Sequence, residues 1–95
     1  DNQTGGDGGG IRMVRFAWLL TDVADEVKLS VHTVSDKTVR VWTFRTMIGY
    51  QELEWDGLTR EGFRIANGTY YLKIVAKSGK KRIVKIIRIV KLEGF

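Results

Sequence analysis

From Ile11 onward the apolar residues recur at every second position, and helical spacing at i, i+3, i+4 and i+7 is not sustained over any long window. Successive side chains of an extended strand point to opposite faces, so this alternation commits the chain to sheets with one buried and one wet face. Phe16, Trp18 and Leu20 share one face of a first strand, with Met13 or Val14 joining the same core according to where that strand begins. The acid-rich segment Thr21 to Glu26 is expected to turn the chain. Val27, Leu29 and Val31 then alternate with Lys28, Ser30 and His32 in a second strand. Ser35-Asp36-Lys37 supplies side chains that bond to the backbone ahead of them in turns, and Thr38 to Phe44 returns to β-branched and aromatic residues.

Met47 to Tyr50 fits no single pattern, whereas Leu53 and Trp55 alternate with Glu52, Glu54 and Asp56. Asp56-Gly57, Glu61-Gly62 and Asn67-Gly68 follow as closely spaced reversal signals. Tyr70, Leu72, Ile74 and Ala76 alternate with Tyr71, Lys73, Val75 and Lys77, and Ser78-Gly79-Lys80 turns this strand into a last one from about Arg82 to Leu92. In that last strand neither phase is purely apolar, which predicts a β-bulge near Ile86-Ile87 or an edge position covered on both sides. About seven short strands with turns every ~8 to 12 residues are the signature of an all-β, antiparallel two-sheet sandwich.

The first ten residues include five glycines and almost nothing apolar, and read as a disordered tether or a cloning scar, leaving 11–95 for one domain with one core. No basic segment followed by an apolar one opens the chain, so it reads as a piece of a longer protein or as one whose signal peptide has been removed. No apolar run approaches the ~20 residues of a membrane span. Zero cysteines and a single histidine exclude a disulfide framework, a thiolate zinc site and a cysteine nucleophile, and with them most enzyme chemistries.

The stretch Trp55 to Ile74 resembles the signature of the Ig-like domain of the flagellar hook-capping protein family. Trp55-Asp56-Gly57, then Gly62 and Ile65, then Gly68 and Tyr70 leading into a strand, stand where that family has W-D-G, a glycine, an apolar residue and G-x-Y. Phe16, Trp18 and Leu20, and Val27, Leu29 and Val31, fit its upstream pattern, so the resemblance covers roughly residues 14 to 92. Two positions depart from it: Ser35-Asp36-Lys37 lacks a glycine, and Ala66-Asn67 stands where a pair containing proline is common. The resemblance implies an Ig-like, fibronectin type III-like sandwich. It also implies a non-catalytic accessory module of a larger exported bacterial protein, periplasmic, extracellular or at the cell surface, acting as spacer, assembly or interaction domain. A C-terminal secretion or sorting domain is the related alternative.

The residues explain the motif without a ligand or cofactor. Trp55 can cap the open end of the sandwich, Asp56 can accept from backbone donors in its turn, Gly57 supplies a positive φ, and Tyr70 can bond backbone through its hydroxyl. Glu52 and Glu54 lie on one strand face about 7 Å apart, a separation usable by a glycosidase, but they flank Leu53 on a wet face with no evident cleft. Asp22, Asp25 and Glu26 could gather around calcium, yet lack the spacing of an EF-hand. His32 reads as a surface histidine, and Asn2-Gln3-Thr4 and Asn67-Gly68-Thr69 match the glycosylation sequon.

Charge is more informative. The net charge is +5, and between Glu61 and Glu93 there is no acid while Arg64, Lys73, Lys77, Lys80, Lys81, Arg82, Lys85, Arg88 and Lys91 are basic. This face suits the neighbouring domains of a parent protein or an acidic protein or polymer, or else its lysines pair with Glu52 and Glu54 across strands. Specific nucleic-acid binding is not expected, because no helix is available for a groove and only Tyr71 could stack a base. A carbohydrate-binding module is the second reading, with Trp42 and Tyr50 or Tyr71 as platforms. It depends on Trp42 facing water.

Overall fold

A computed structural model of the chain describes residues 14–92, so the predicted tether, the start of the first strand at Ile11 and the sequon at Asn2 lie outside the described residues. Within them the chain is all-β, with β1 at Val14–Thr33, β2 at Thr38–Trp55, β3 at Gly68–Ser78 and β4 at Lys81–Lys91. All neighbours are antiparallel, in the order β2-β1-β3-β4. The described residues therefore make four strands in one hydrogen-bonded sheet where about seven short strands in two sheets were expected.

The difference lies in what the acid-rich segment does. Thr21 to Glu26 does not reverse the chain: β1 runs through it, and its ladder with β2 jumps from Leu20↔Gly49 to Ala24↔Met47. Such a jump leaves extra residues on one strand, which bends it and sharpens its twist. On β2 the same place holds Thr46 and Gly49 at φ of 53° and 83°, so Met47 to Tyr50, which fitted no strand pattern, forms the other side of the bend. Asp25 accepts from the Gly79 amide at 2.7 Å and the Val23 carbonyl accepts from the Ser78 hydroxyl at 2.9 Å, tying the bend to the β3–β4 turn.

The bend folds the β1–β2 ribbon over itself. Trp18 and Val27 are nine residues apart on β1, about 30 Å on a straight strand. Yet the Trp18 ring lies 6.2 Å from that of Phe44, the cross-strand partner of Val27. Phe16 likewise meets Trp42, the partner of Leu29. The first half of β1 and the second half of β2 thus face the central stretch of the sheet, and Phe16, Val27, Leu29, Val31, Trp55, Leu72 and Ile74 are buried between them.

The hairpin β3–β4 forms as the alternation predicts, but without the expected bulge, since its pairs run one to one from Ser78↔Lys81 to Gly68↔Lys91. Nor is β4 covered among the described residues: it is the edge strand, with Ile83 68% and Ile86 62% exposed on its two faces. Water on both sides is what permits a cation on either phase, and charged side chains are a common device for guarding an open edge. Only at its end does β4 enter the core, where buried Lys91 donates from Nζ to the Ile65 carbonyl at 2.8 Å.

Candidate functional site

The signature residues converge on the corner that leaves β2 and enters β3. Trp55 ends β2 almost fully buried, with its indole stacked on Phe16 and edge-on to Trp42 at 5.9 Å. Its Nε1 donates to the Leu58 carbonyl at 2.9 Å. Asp56 accepts through Oδ1 from the Leu58 amide at 3.1 Å and from Arg40 at 3.4 Å, and Arg40 donates again to the Leu58 carbonyl. Gly57, at φ 76°, turns the chain, and its carbonyl accepts from the amide of buried Ile65. A side chain there would be held in the left-handed region, which L residues other than glycine adopt at a cost. Gly62 also has positive φ and donates to the Thr59 carbonyl, Gly68 opens β3, and Tyr70 donates its hydroxyl to the Ala66 carbonyl at 2.7 Å. Every polar group of the motif named here is engaged within the chain.

Trp42 does not offer the open platform that a sugar-binding site needs. As the partner of Leu29 on the face that the folded ribbon covers, it is half-buried, and Arg40 lies over its ring at 5.3 Å while Phe16 and Trp55 meet it. Alternation alone put Val39 and Trp42 on opposite faces with only one of them dry. The fold covers both, because the ladder is irregular beside Val39, between Val31 and His32, and the ribbon folds over Trp42. Tyr71 is half-buried opposite His32 and Arg88.

The remaining candidates are dispersed. Glu52 and Glu54 reach Arg15 at 3.8 and 3.5 Å, not the lysines of the hairpin. Among the described residues no three acids or histidines gather as a metal group: Asp25 holds the Gly79 amide, and Glu26 meets Arg45 and Lys77. His32 is not free on the surface but lies between the Ser30 hydroxyl at 2.7 Å and that of Thr38 at 3.4 Å.

Tyr50, exposed, donates its hydroxyl to Glu52 at 2.6 Å, and this bond to a carboxylate raises the phenol above its ordinary pKa. A raised value means the neutral phenol persists in the fold beyond the pH at which the unfolded chain ionises. Its contribution to stability is complete below the ordinary phenol pKa and is lost as pH rises through the raised one. Ultraviolet difference titration is expected to show Tyr50 ionising late in the native protein, and Glu52→Gln should bring it back toward the usual value. No movement would mean that the bond is absent in solution.

Alternation missed one feature. Between Ala17 to Ala24 of β1 and the β3–β4 hairpin runs an open groove of about 970 Å³ with Trp18, Leu20, Ile74, Ile83 and Ile87 in its walls and exposed Lys80, Lys81 and Lys85 along it. Of the remaining cations of the interaction surface, Lys73 is half-buried, Lys77 meets Glu26 at 4.0 Å, and Arg82 stands exposed on the outer phase of the edge. The apolar residues on both phases of β4 were the signal that could have located the groove.

In the groove wall the Trp18 Nε1 is buried with no acceptor among the described residues. An unpaired buried donor costs about 1 to 3 kcal/mol. Trp18→Phe removes it and keeps a ring, so chemical denaturation is expected to find stability within about 1 kcal/mol of the parent. A larger loss would mean that the indole N–H is satisfied in solution.

Comparison with known proteins gives two findings. The family model described as the FlgD Ig-like domain matches residues 2–80. Among solved structures, FLGD from P. aeruginosa is similar with a TM-score of 0.69 at 16% identity, covering 83% of this chain and 62% of that one. At that identity the likeness concerns the fold, and the chain spans about 62% of its structural relative. No curated protein matches the chain.

Proposed function

Because the chain belongs to the FlgD Ig-like domain family, we propose that it is a non-catalytic accessory module of a larger exported bacterial protein, joining or spacing its neighbours and offering an interaction surface. The observation that carries this reading is the corner at Trp55. The residues that define the signature close a turn and pack a core, with the Trp55 N–H, the Asp56 carboxylate and the Tyr70 hydroxyl all bonded inside the domain. A fold whose marked residues are consumed in this way leaves function to its outer surfaces and to its covalent context.

Those surfaces favour an acidic protein or polymer over a nucleic acid. The exposed cations project from rigid strands, which supports electrostatic attraction without base reading. Immunoblotting of fractionated cells of the source bacterium with antibody to this chain tests the proposal. Detection in a longer polypeptide in the exported fraction is the expected result, and a free chain of this size in the cytoplasm would overturn it.

A further inference from the structure

The basic residues of β4 recur at every third position: Arg82, Lys85, Arg88 and Lys91, each pair separated by two aliphatics. On a strand, whose faces alternate with period two, such a repeat distributes its cations over both faces. Arg82 and Arg88 lie on the outer phase, paired with Lys77 and Tyr71, while Lys85 lies on the groove phase between Ile83 and Ile87. Lys91 is withdrawn into the core, so three cations remain along the open edge. None of the three has an acidic partner among the described residues.

The hairpin fixes which backbone groups that edge presents. Gly79-Lys80, with Gly79 at φ 59°, is a two-residue turn closing on Ser78↔Lys81. A turn of this kind closes on a pair that exchanges both hydrogen bonds, and the exchange then falls on alternate residues. Ile83, Lys85, Ile87 and Ile89 thus bond to β3, and the N–H and C=O groups of Arg82, Val84, Ile86 and Arg88 point away from the sheet. The family match ends at residue 80, just before this strand.

We propose that β4 is a docking edge for an extended segment of a partner protein carrying an acid at every third position with aliphatic or β-branched residues between. Such a segment adds a strand to the sheet. It sets a carboxylate opposite Arg82 and Arg88 on the outer face and opposite Lys85 on the groove face, and lays apolar side chains beside Ile83 and Ile87. A second copy of this chain fits less well, because β4 has no acid between Lys81 and Leu92 to meet the cations and like charges facing across strands are destabilising. The inference rests on the interaction role proposed above. The two fail separately, since export and polypeptide size are read in cells and docking is read on the purified chain.

The test uses the full chain and a capped peptide, Glu-Val-Thr-Glu-Val-Thr-Glu, beside a peptide of the same composition with its acids adjacent. Calorimetry is expected to show the spaced peptide binding at least about tenfold more tightly, a difference expected of charge register and not of net charge. Amide hydrogen exchange should slow at Val84, Ile86 and Arg88, whose N–H groups otherwise face solvent. Ile86→Pro removes an outward N–H at an edge position where proline is tolerated, and should abolish binding while circular dichroism stays unchanged. Should that variant misfold, Arg82→Glu with Arg88→Glu replaces it, since both side chains are exposed. This pair is expected to lose the acidic peptide and to accept one with lysine at its two ends. Absence of binding, equal binding of the two peptides, or unchanged exchange at β4 would overturn the proposal. So would protection of those amides by concentration-dependent self-association in sedimentation, which would make a second copy the occupant.

Discussion

Trp55→Ala is expected to lower the stability of the domain by about 3 to 5 kcal/mol, the range for truncating a buried aromatic, as read from the midpoint of equilibrium denaturation. Three losses combine at this position. The ring leaves a cavity between Phe16 and Trp42, which both pack on it. The indole N–H that anchors the Leu58 carbonyl disappears. The turn that begins at Asp56 also loses the packing that holds it against the end of β2. A domain of this size has only about 5 to 15 kcal/mol of net stability, so the variant sits near the edge of folding. Trp55→Phe separates the terms: it keeps most of the ring contact and removes the donor, while Arg40 still serves the Leu58 carbonyl. Its expected cost is about 1 kcal/mol or somewhat more. A loss below about 1 kcal/mol for the alanine variant would place the indole at the surface in solution.

Leu29→Ala is expected to cost about 2 to 5 kcal/mol, whereas Ile86→Ala should change stability by no more than about 0.5 kcal/mol. Both are aliphatics in alternating strand sequence, and pattern alone ranks them together. In the fold, Leu29 lies on the central strand, opposite Trp42 on one side and Ile74 on the other, and is fully buried. Its truncation leaves a void that neighbours on two strands cannot close. Ile86 stands on the outer face of the edge strand and is 62% exposed, so its truncation mainly releases surface already in water. Equal costs for the two would mean that the β4 edge is covered in solution, by self-association or by chain outside residues 14–92. Sedimentation at two concentrations distinguishes these.

Local chemistry left a clear record wherever it decided the outcome. Period-two alternation identified the buried faces at Val27, Leu29 and Val31 and at Tyr70, Leu72 and Ile74, but the opposite face is not the wet one it implied, since Ser30 and Val75 are buried there and Tyr71 and Lys73 half-buried. The turn at Gly79-Lys80 was legible because only a few residue types suit its geometry. At the Trp55 corner, residue types announced a tight reversal, and the structure places Trp55, Asp56, Gly57, Gly62, Gly68 and Tyr70 together there.

Two features were not legible, each for a reason that lies beyond neighbouring residues. Thr21 to Glu26 has the composition of a turn, and whether polar residues reverse a chain or bulge within a strand depends on the partner opposite, here Met47 to Gly49 across the ladder. Trp42 alternates like a surface aromatic, but the bend brings Phe16 over the sheet and covers it, a contact between residues 26 positions apart. Residues acting within a few positions made legible the antiparallel strands, the reversals at Ser35-Asp36-Lys37, at the Trp55 corner and at Gly79-Lys80, and the aromatic residue that closes that corner, since φ preferences and side-chain alternation are local. The packing of distant segments settled that two strands run long and fold over, that Lys91 enters the core, and that β4 is an open basic edge among the described residues. Alternation tells which residues share a face, whereas what covers that face, and whether the opposite face is covered too, depends on segments that arrive from elsewhere in the chain.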